Sequence, residues 1–411
     1  MSWLGAFLRV SAFLTILATS GAVLGKPTVR VGLLADLSGS TGEIGREAER
    51  VAGMAVDRVN ARGGVAGRLV ELAVFDTEGE PILARDGTRE LVSIGKVAAV
   101  LGPTDWASAM MTKPLFEETR VPAMMLTWDD AVIQGGKYGR YEWIFRLPPG
   151  SRTALGKVGG FLRERGWTKV ALVVASDCLG REAREWFERW SGAYGLETVA
   201  TCVLTPDSDV RSALADLAMA EPQVVVSWCS LPIAATVAVV LRGLGVELPL
   251  FQCHEISPRR YVEMAGPAAR GSLLVSNKML VWEDLDDWDC QKRMIADFFH
   301  QYVEVYRYGD GHWVNPLAGY VWDSVMILVE AIKEAECSGR ALRDAIEGVY
   351  RHVGLGGVYG FTHEDHNGLD PDSVVVAVAD GIRRDGRRWV GSWRLARKAR
   401  GSAGILGGYP W

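Results

Sequence analysis

The chain has 411 residues, 48% of them hydrophobic and 23% charged, which is enough for two or three domains with a sizeable core. Its formal charge is −5 and no basic patch stands out, which argues against nucleic acid as a partner. After the first 25 residues no run is long and apolar enough to span a bilayer.

The start of the chain reads as a leader. MSWLGAFLRV carries one charge, Arg9, and SAFLTILATSGAVLG is apolar and small. Val23 and Gly25 fit a small-x-small cleavage rule, so residues 1–25 are expected to be removed near Gly25, leaving a mature, exported, soluble protein. Losing Arg9 takes the charge from −5 to −6. No cysteine stands at the cleavage point, so no lipid anchor is expected. Export implies an oxidising compartment, which gives the six cysteines meaning. None forms a C-x-x-C pair and metal-ligand spacing is absent. Cys229 and Cys253 each end a predicted strand, those strands should be neighbours, and a disulfide between them is the pairing expected; free buried thiols are the alternative.

The first element is Val29–Leu34, a nearly all-apolar run that reads as a strand buried on both faces. It enters the polar turn Asp36-Leu37-Ser38-Gly39-Ser40-Thr41-Gly42. Ile44, Ala48, Val51, Ala55 and Val59 then recur at helical spacing. Gly39, Gly42 and Gly45 make G-x-x-G-x-x-G, not the G-x-G-x-x-G of a dinucleotide fold, and a turn needing small residues accounts for them. Strands at 69–75, 97–101 and 121–126 alternate with helices, one opened by Pro81. Pro148-Pro149-Gly150 breaks the pattern and Ser151 caps a new helix. The rhythm restarts with strands at 170–175, 198–204, 224–228, 250–252 and 272–275. Helices are predicted between them near 181–194, 210–220 and 232–245. Helical segments follow at 287–306, 318–335 and 340–350, then a hairpin around Asp385-Gly386.

This pattern predicts an α/β protein of two doubly wound Rossmann-like lobes, joined by a three-crossing hinge. Lobe 1 is expected at 28–147 plus about 277–370, lobe 2 at 148–276 plus about 371–396, and a tail at 397–411. In such folds ligands meet the loops at the carboxyl edges of the strands.

Val31–Gly45, then Val59-Asn60-Ala61-Arg62-Gly63-Gly64-Val65-Ala66-Gly67-Arg68-Leu69, then Asp76-Thr77-Glu78, resembles the type I periplasmic solute-binding family, whose best-known members bind leucine, isoleucine and valine for ABC importers. Val100-Leu101-Gly102-Pro103, Arg120-Val121-Pro122-Ala123 and Gly271-Ser272-Leu273-Leu274-Val275 fit as well. The resemblance implies an exported receptor that closes on a small organic ligand and delivers it to an ABC permease in the inner membrane, as a monomer and without a cofactor. A periplasmic sensor is the alternative.

Carried over by position, the resemblance marks Ser38 and Ile44 in the first loop, Trp106, Ala107 and Ser108 in the third, and Trp128, Asp129 and Asp130 in the fourth. In lobe 2 it marks Leu179, Trp228, Ser230, His254 and Glu255. Several depart from the family's usual choices. Trp106 stands where a serine is common, and Ile44 where an aromatic closes over the ligand. Leu179 and Ser230 replace tyrosines, and His254 replaces the acid that pairs with an amino-acid ammonium. A zwitterion needs donors for its carboxylate and an acid for its ammonium. Three tryptophans near one cleft suit a flat, partly apolar ligand, aromatic or amide-like, better than a simple branched-chain amino acid, though a conventional amino acid stays open. No G-x-S-x-G or H-E-x-x-H motif appears, and no enzyme activity is expected.

Overall fold

The structure, a computed structural model, describes residues 15–16, 27–135, 139–308, 314–335 and 337–396. The leader reading at 1–25 falls outside these apart from residues 15–16, and the tail reading at 397–411 lies outside them. The chain forms two compact units. Unit 1 holds residues up to Thr127, Ala131–Pro148 and Leu317–Asp370; unit 2 holds Trp128–Asp130, Pro149–Pro316 and the chain from Pro371.

Unit 1 begins with β1 (Thr15–Ile16), β2 (Thr28–Ala35), α1 (Gly42–Ala61), β3 (Leu69–Asp76), α2 (Pro81–Ser93), β4 (Ala99–Leu101), α3 (Trp106–Thr119), β5 (Ala123–Met125) and β6 (Ile144–Arg146). The sheet order is β1-β3-β2-β4-β5-β6. β2 to β6 are parallel, and β2 pairs with β3 from Thr28↔Leu69 to Ala35↔Asp76. β1 runs antiparallel to β3. Leu33, Leu34 and Ala35 are fully buried, as a strand covered on both faces requires. Ala48, Val51, Ala55 and Val59 form the buried stripe of α1. The turn after α1 has a physical basis in its sequence. Asn60 brackets Val70 by donating from Nδ2 to its carbonyl at 2.8 Å and accepting its N–H at 2.9 Å. Gly64, at φ +87°, lies so close to the Arg68 carbonyl that a Cβ would stand 1.9 Å from it.

Unit 2 runs α4 (Ser151–Arg165), β7 (Lys169–Ala175), α5 (Cys178–Trp190), β8 (Glu197–Leu204), α6 (Val210–Ala218), β9 (Val224–Trp228), α7 (Ile233–Gly243), β10 (Leu250–Gln252), α8 (Pro258–Ala265), β11 (Ser272–Asn277) and α9 (Cys290–His300). The chain then enters unit 1 again with α10 (Leu317–Glu334), which packs on α1, followed by α11 (Gly339–Glu347) and the ribbon of β12 (His352–Val353) and β13 (Val358–Tyr359). It ends in unit 2 as the hairpin of β14 (Val374–Asp385) and β15 (Arg388–Leu395). The unit 2 sheet has the order β15-β14-β11-β10-β9-β7-β8, with β7 to β11 parallel and β14 and β15 antiparallel. Among the described residues no helix is long and apolar enough to cross a membrane.

Three expectations differ from the structure. The helix expected at 181–194 starts at Cys178, because the Asp177 carboxylate accepts the Gly180 N–H at 2.8 Å and begins it. The helix expected at 287–306 is α9 followed by a wider π turn at Gln301–Val305. The sequence reading also returns the chain to lobe 1 near residue 277, whereas in the structure residues 278–316 group with unit 2. The 3₁₀ segment Lys278–Asp284 is tied to β15 by Asp284, which accepts from Arg394 Nε at 2.7 Å and from Leu395 N at 2.9 Å, and α9 packs on that segment.

The Cys229–Cys253 disulfide is not formed; both are free thiols. β9 and β10 are neighbours, as expected, but their register pairs Ser227 with Gln252. Those are the last paired residues, so both cysteines lie beyond the ladder, Cys229 two residues past its end and Cys253 one. Cys229 Sγ contacts the Val173 carbonyl at 3.8 Å, and Cys253 Sγ lies 3.6 Å from His254 Nδ1.

Candidate ligand-binding loops

In unit 1 the carboxyl ends of β2 and β3 are joined by two aspartates. Asp36 is fully buried; its carboxylate accepts the Gly39 N–H at 2.6 Å, the Thr41 N–H at 2.8 Å and the Thr41 hydroxyl at 2.7 Å. Asp76 accepts the Leu37 N–H, the Ser38 hydroxyl and the Glu78 N–H at 2.7–2.8 Å. Partial burial alone would raise the Asp76 carboxyl, but these donors outweigh it and hold the group below the usual carboxylate range. The Ser38 hydroxyl is thus spent on shaping its own loop. The glycines of that loop are there for close approach: a Cβ on Gly39 would stand 2.2 Å from the Glu78 carbonyl, and one on Gly45 would stand 1.8 Å from that of Asp36.

The loop after β4 leads into α3, whose cap Asp105 accepts the Ser108 N–H at 2.9 Å. Burial, with Asp36 adding to it, raises the Asp105 carboxyl. Trp106, the first residue of the helix, is 42% exposed. Ala107 and Ile44 are half-buried, and Ser108 is fully buried. The side-chain oxygens of Thr104 and Thr127 are buried and have no hydrogen-bond partner among the described atoms. Leu101 of β4 pairs with Met124 of β5, and each of these threonines follows three residues after its member of that pair. The sequence reading did not single them out as contacts; their signal was that both follow a buried strand on the carboxyl side.

Unit 2 has a more charged edge. Asp129 is buried, and Trp128 and Asp130 are half-buried. Asp130 accepts the Arg152 N–H at 3.0 Å, which ties this segment to the start of α4. Glu182 on α5 is pushed up to about 9, by burial first and then by the charges of Asp130 and Asp129. Glu255, just past β10, is pushed up to about 8 by burial and then by Asp129 and Asp177. Burial, followed by Asp129, lifts the Cys178 thiol to about 12, so it is an inert thiol. Asp129 hydrogen-bonds both Cys178 and Glu182. The sequence reading marked Asp129, Asp130 and Glu255 and did not mark Glu182. Its signal was an acid three residues beyond Leu179, on the side of α5 that carries buried Leu179, Ala183 and Trp186.

Trp228 is fully buried, its Nε1 lies 3.4 Å from the Ser151 hydroxyl, and its ring stacks on His254 with centroids 5.2 Å apart. His254 Nε2 lies 3.2 Å from the Pro149 carbonyl, an acceptor, so this nitrogen carries the proton. Leu179 is buried and Ser230 half-buried. Trp106 therefore keeps ring surface open, whereas His254 covers one face of Trp228. Among the described residues no cluster of His, Cys, Asp and Glu has the arrangement of a metal site.

The family described as periplasmic binding protein matches residues 28–382. Among curated relatives, the Leu/Ile/Val-binding protein BraC3 of Rhizobium johnstonii is 25% identical over 47% of this chain and 52% of its own length. The chemotactic signal transduction system substrate-binding protein BasB of Halobacterium salinarum is 32% identical over 36% of each chain. Glutamate receptor 1.2 of Arabidopsis thaliana is 30% identical over 36% of this chain and 16% of its own length. The chain thus matches between about a sixth and about a half of the length of these relatives. Among solved structures, an extracellular ligand-binding receptor from Rhodopseudomonas palustris HaA2 aligns with TM-score 0.75 at 20% identity, covering 90% of this chain and all of the other. LivJ of Streptococcus pneumoniae, solved with isoleucine, aligns with TM-score 0.69 at 19% identity over 90% and 99% of the two chains. The family match spans most of the chain, so this chain belongs to the periplasmic binding protein family, and its fold is the one shared by the Rhodopseudomonas receptor and LivJ.

Proposed function

We propose that the protein is an exported, monomeric, non-enzymatic receptor that takes up a small organic ligand at the carboxyl-edge loops of its two sheets and delivers it to an ABC permease in the inner membrane. The ligand is a flat, nitrogen-bearing compound of aromatic or amide type rather than a simple branched-chain amino acid. The observation that carries this is the carboxyl group set of unit 2. Burial first, then Asp130 and Asp129, push Glu182 to about 9, and burial, then Asp129 and Asp177, push Glu255 to about 8; carboxyls gathered around Asp129 favour N–H donors and positive charge on a guest. The open ring surface of Trp106 suits the flat body. The buried hydroxyls of Thr104 and Thr127 suit a carbonyl or carboxylate oxygen.

A thermal-shift screen of amines, amides, aromatic acids and amino acids tests the reading, because a ligand of the folded state raises the melting temperature by mass action. The best hit is expected to carry an N–H-bearing group and to lose affinity on Trp106→Ala and on Asp129→Asn. A best hit of leucine or isoleucine, with affinity unchanged in both variants, would overturn it. A sensory role is the second reading, favoured by the likeness to BasB, whose name places it in chemotactic signal transduction. Transport assays in a permease-deficient strain separate the two: a receptor for import loses uptake, and a sensor keeps its response.

A further inference from the structure

Unit 2 carries a cavity at the opposite edge of its sheet from the loops above. Its volume is about 720 Å³, inside the roughly 300–1,000 Å³ range of small-molecule sites. Its rim is made where strands begin and helices end: Pro249 precedes β10, Gly271 precedes β11, and Trp167 lies between α4 and β7. The lining contains three arginines, Arg165, Arg242 and Arg270, and a single carboxylate, Glu247, whose side chain is 78% exposed.

The arginines come from separate elements. Arg165 and Arg242 stand in the last turns of α4 and α7, where a cation complements the negative end of a helix. Arg270 follows a 3₁₀ turn, so the helix dipole does not explain it. Main-chain carbonyls brace two of the guanidiniums: Arg242 Nη1 donates to Val246 O at 2.6 Å and Leu248 O at 3.0 Å, and Arg270 Nη2 to Ile382 O at 3.4 Å. Carbonyls fix the direction of these groups, and Arg242 Nε also has Glu247 as an ion-pair partner at 3.8 Å, an exposed carboxylate. Arg165 lies over the Phe161 ring at 4.9 Å and 6.0 Å from the centroid of Trp167, and the two rings meet edge to face at 64°, so aromatic and guanidinium surfaces line this side of the cavity. A positive, aromatic-walled cavity of this size selects a planar body bearing an anion.

We propose that this cavity is a binding site for a small aromatic carboxylate, separate from the carboxyl-edge loops and independent of the reading given for them. Its ring packs against Trp167, and its carboxylate is held by the arginines through charge-assisted hydrogen bonds.

Benzoate is the probe, titrated calorimetrically into the full chain, with benzamide as its neutral counterpart of nearly the same shape. Saturable benzoate binding is expected, with benzamide at least about tenfold weaker. Arg165→Gln and Arg270→Gln should each weaken benzoate at least about tenfold. Arg270 is exposed, so its substitution leaves the fold intact even if Arg165→Gln does not. Asp129→Asn should leave benzoate affinity within about twofold, since it belongs to the other edge. The proposal is overturned by no saturable binding of benzoate, by benzamide binding as well as benzoate, by unchanged affinity in Arg270→Gln, or by loss of binding in Asp129→Asn.

Discussion

Glu182 and Asp76 are both carboxyls near strand ends, yet the fold moves them in opposite directions. Asp76 receives donors from Leu37, Ser38 and Glu78, and these overcome its partial burial. Glu182 sits among Asp129 and Asp130, so nearby negative charge adds to its burial and holds it near 9. A carboxyl raised in the folded state keeps its stability fully below the unfolded value, near 4.5, and loses it as pH rises through the folded value. Glu182→Gln removes that penalty. The variant is expected to melt close to the parent at pH 5 and above it at pH 9, where each kcal/mol recovered is worth about 2–4 °C. Thermal melts at the two pH values check this; an equal shift at both would mean that Glu182 does not titrate as its neighbours require.

At the scale of elements, the two units share one device. Gly45 in the first turn of α1 and Gly180 in the first turn of α5 each lie against the carbonyl at the end of the preceding strand. A Cβ would stand 1.8 Å from Asp36 O in the first case and 2.0 Å from Ala175 O in the second. Neither glycine has a positive φ, so the requirement is space and not backbone freedom. Gly45→Ala and Gly180→Ala should each cost about 1–3 kcal/mol, at the upper end because main chain would have to move; urea titration measures it. By contrast, Asp209→Ala at the start of α6 removes only a cap, the acceptor for the N–H groups of Arg211 and Ser212 at 3.1 and 3.3 Å, and should cost about 1 kcal/mol. A glycine variant no more damaging than the cap variant would contradict the packing argument.

The alternation of strands and helices was legible because both parallel sheets are buried on two faces, and such strands write themselves as apolar runs like Leu33–Ala35 and Val224–Val226. The positions of Asp129, Asp130 and Glu255 near the carboxyl edges were legible through the likeness to the family. Three things were not. Glu182 looked like an ordinary acid on an amphipathic helix, because only the chain folding Asp129 and Asp130 into unit 2 makes its face acidic. The cysteine pairing failed because Cys229 and Cys253 lie unequal distances past the last paired residues of their strands, which no spacing rule encodes. The grouping of residues 278–316 with unit 2 depends on Asp284 meeting Arg394, about 110 residues apart.

For the molecule as a whole, these charges couple binding to protons. At pH 7.5 Glu182, near 9, is mostly protonated, and Glu255, near 8, is partly so. A cationic guest favours the charged carboxylates and so lowers both values, which forces protons off as it binds. A ligand carrying a protonated amine is therefore expected to release protons, and its affinity to rise from pH 6.5 to pH 9 as fewer remain to be displaced. Calorimetric titrations at pH 7.5 in two buffers of different ionisation enthalpy measure the release directly, and Glu182→Gln together with Glu255→Gln should abolish most of it. A ligand whose binding enthalpy is the same in both buffers, and whose affinity is flat over that pH range, would place its charge away from the Asp129 carboxyl set and transfer recognition to Trp106, Thr104 and Thr127 in unit 1.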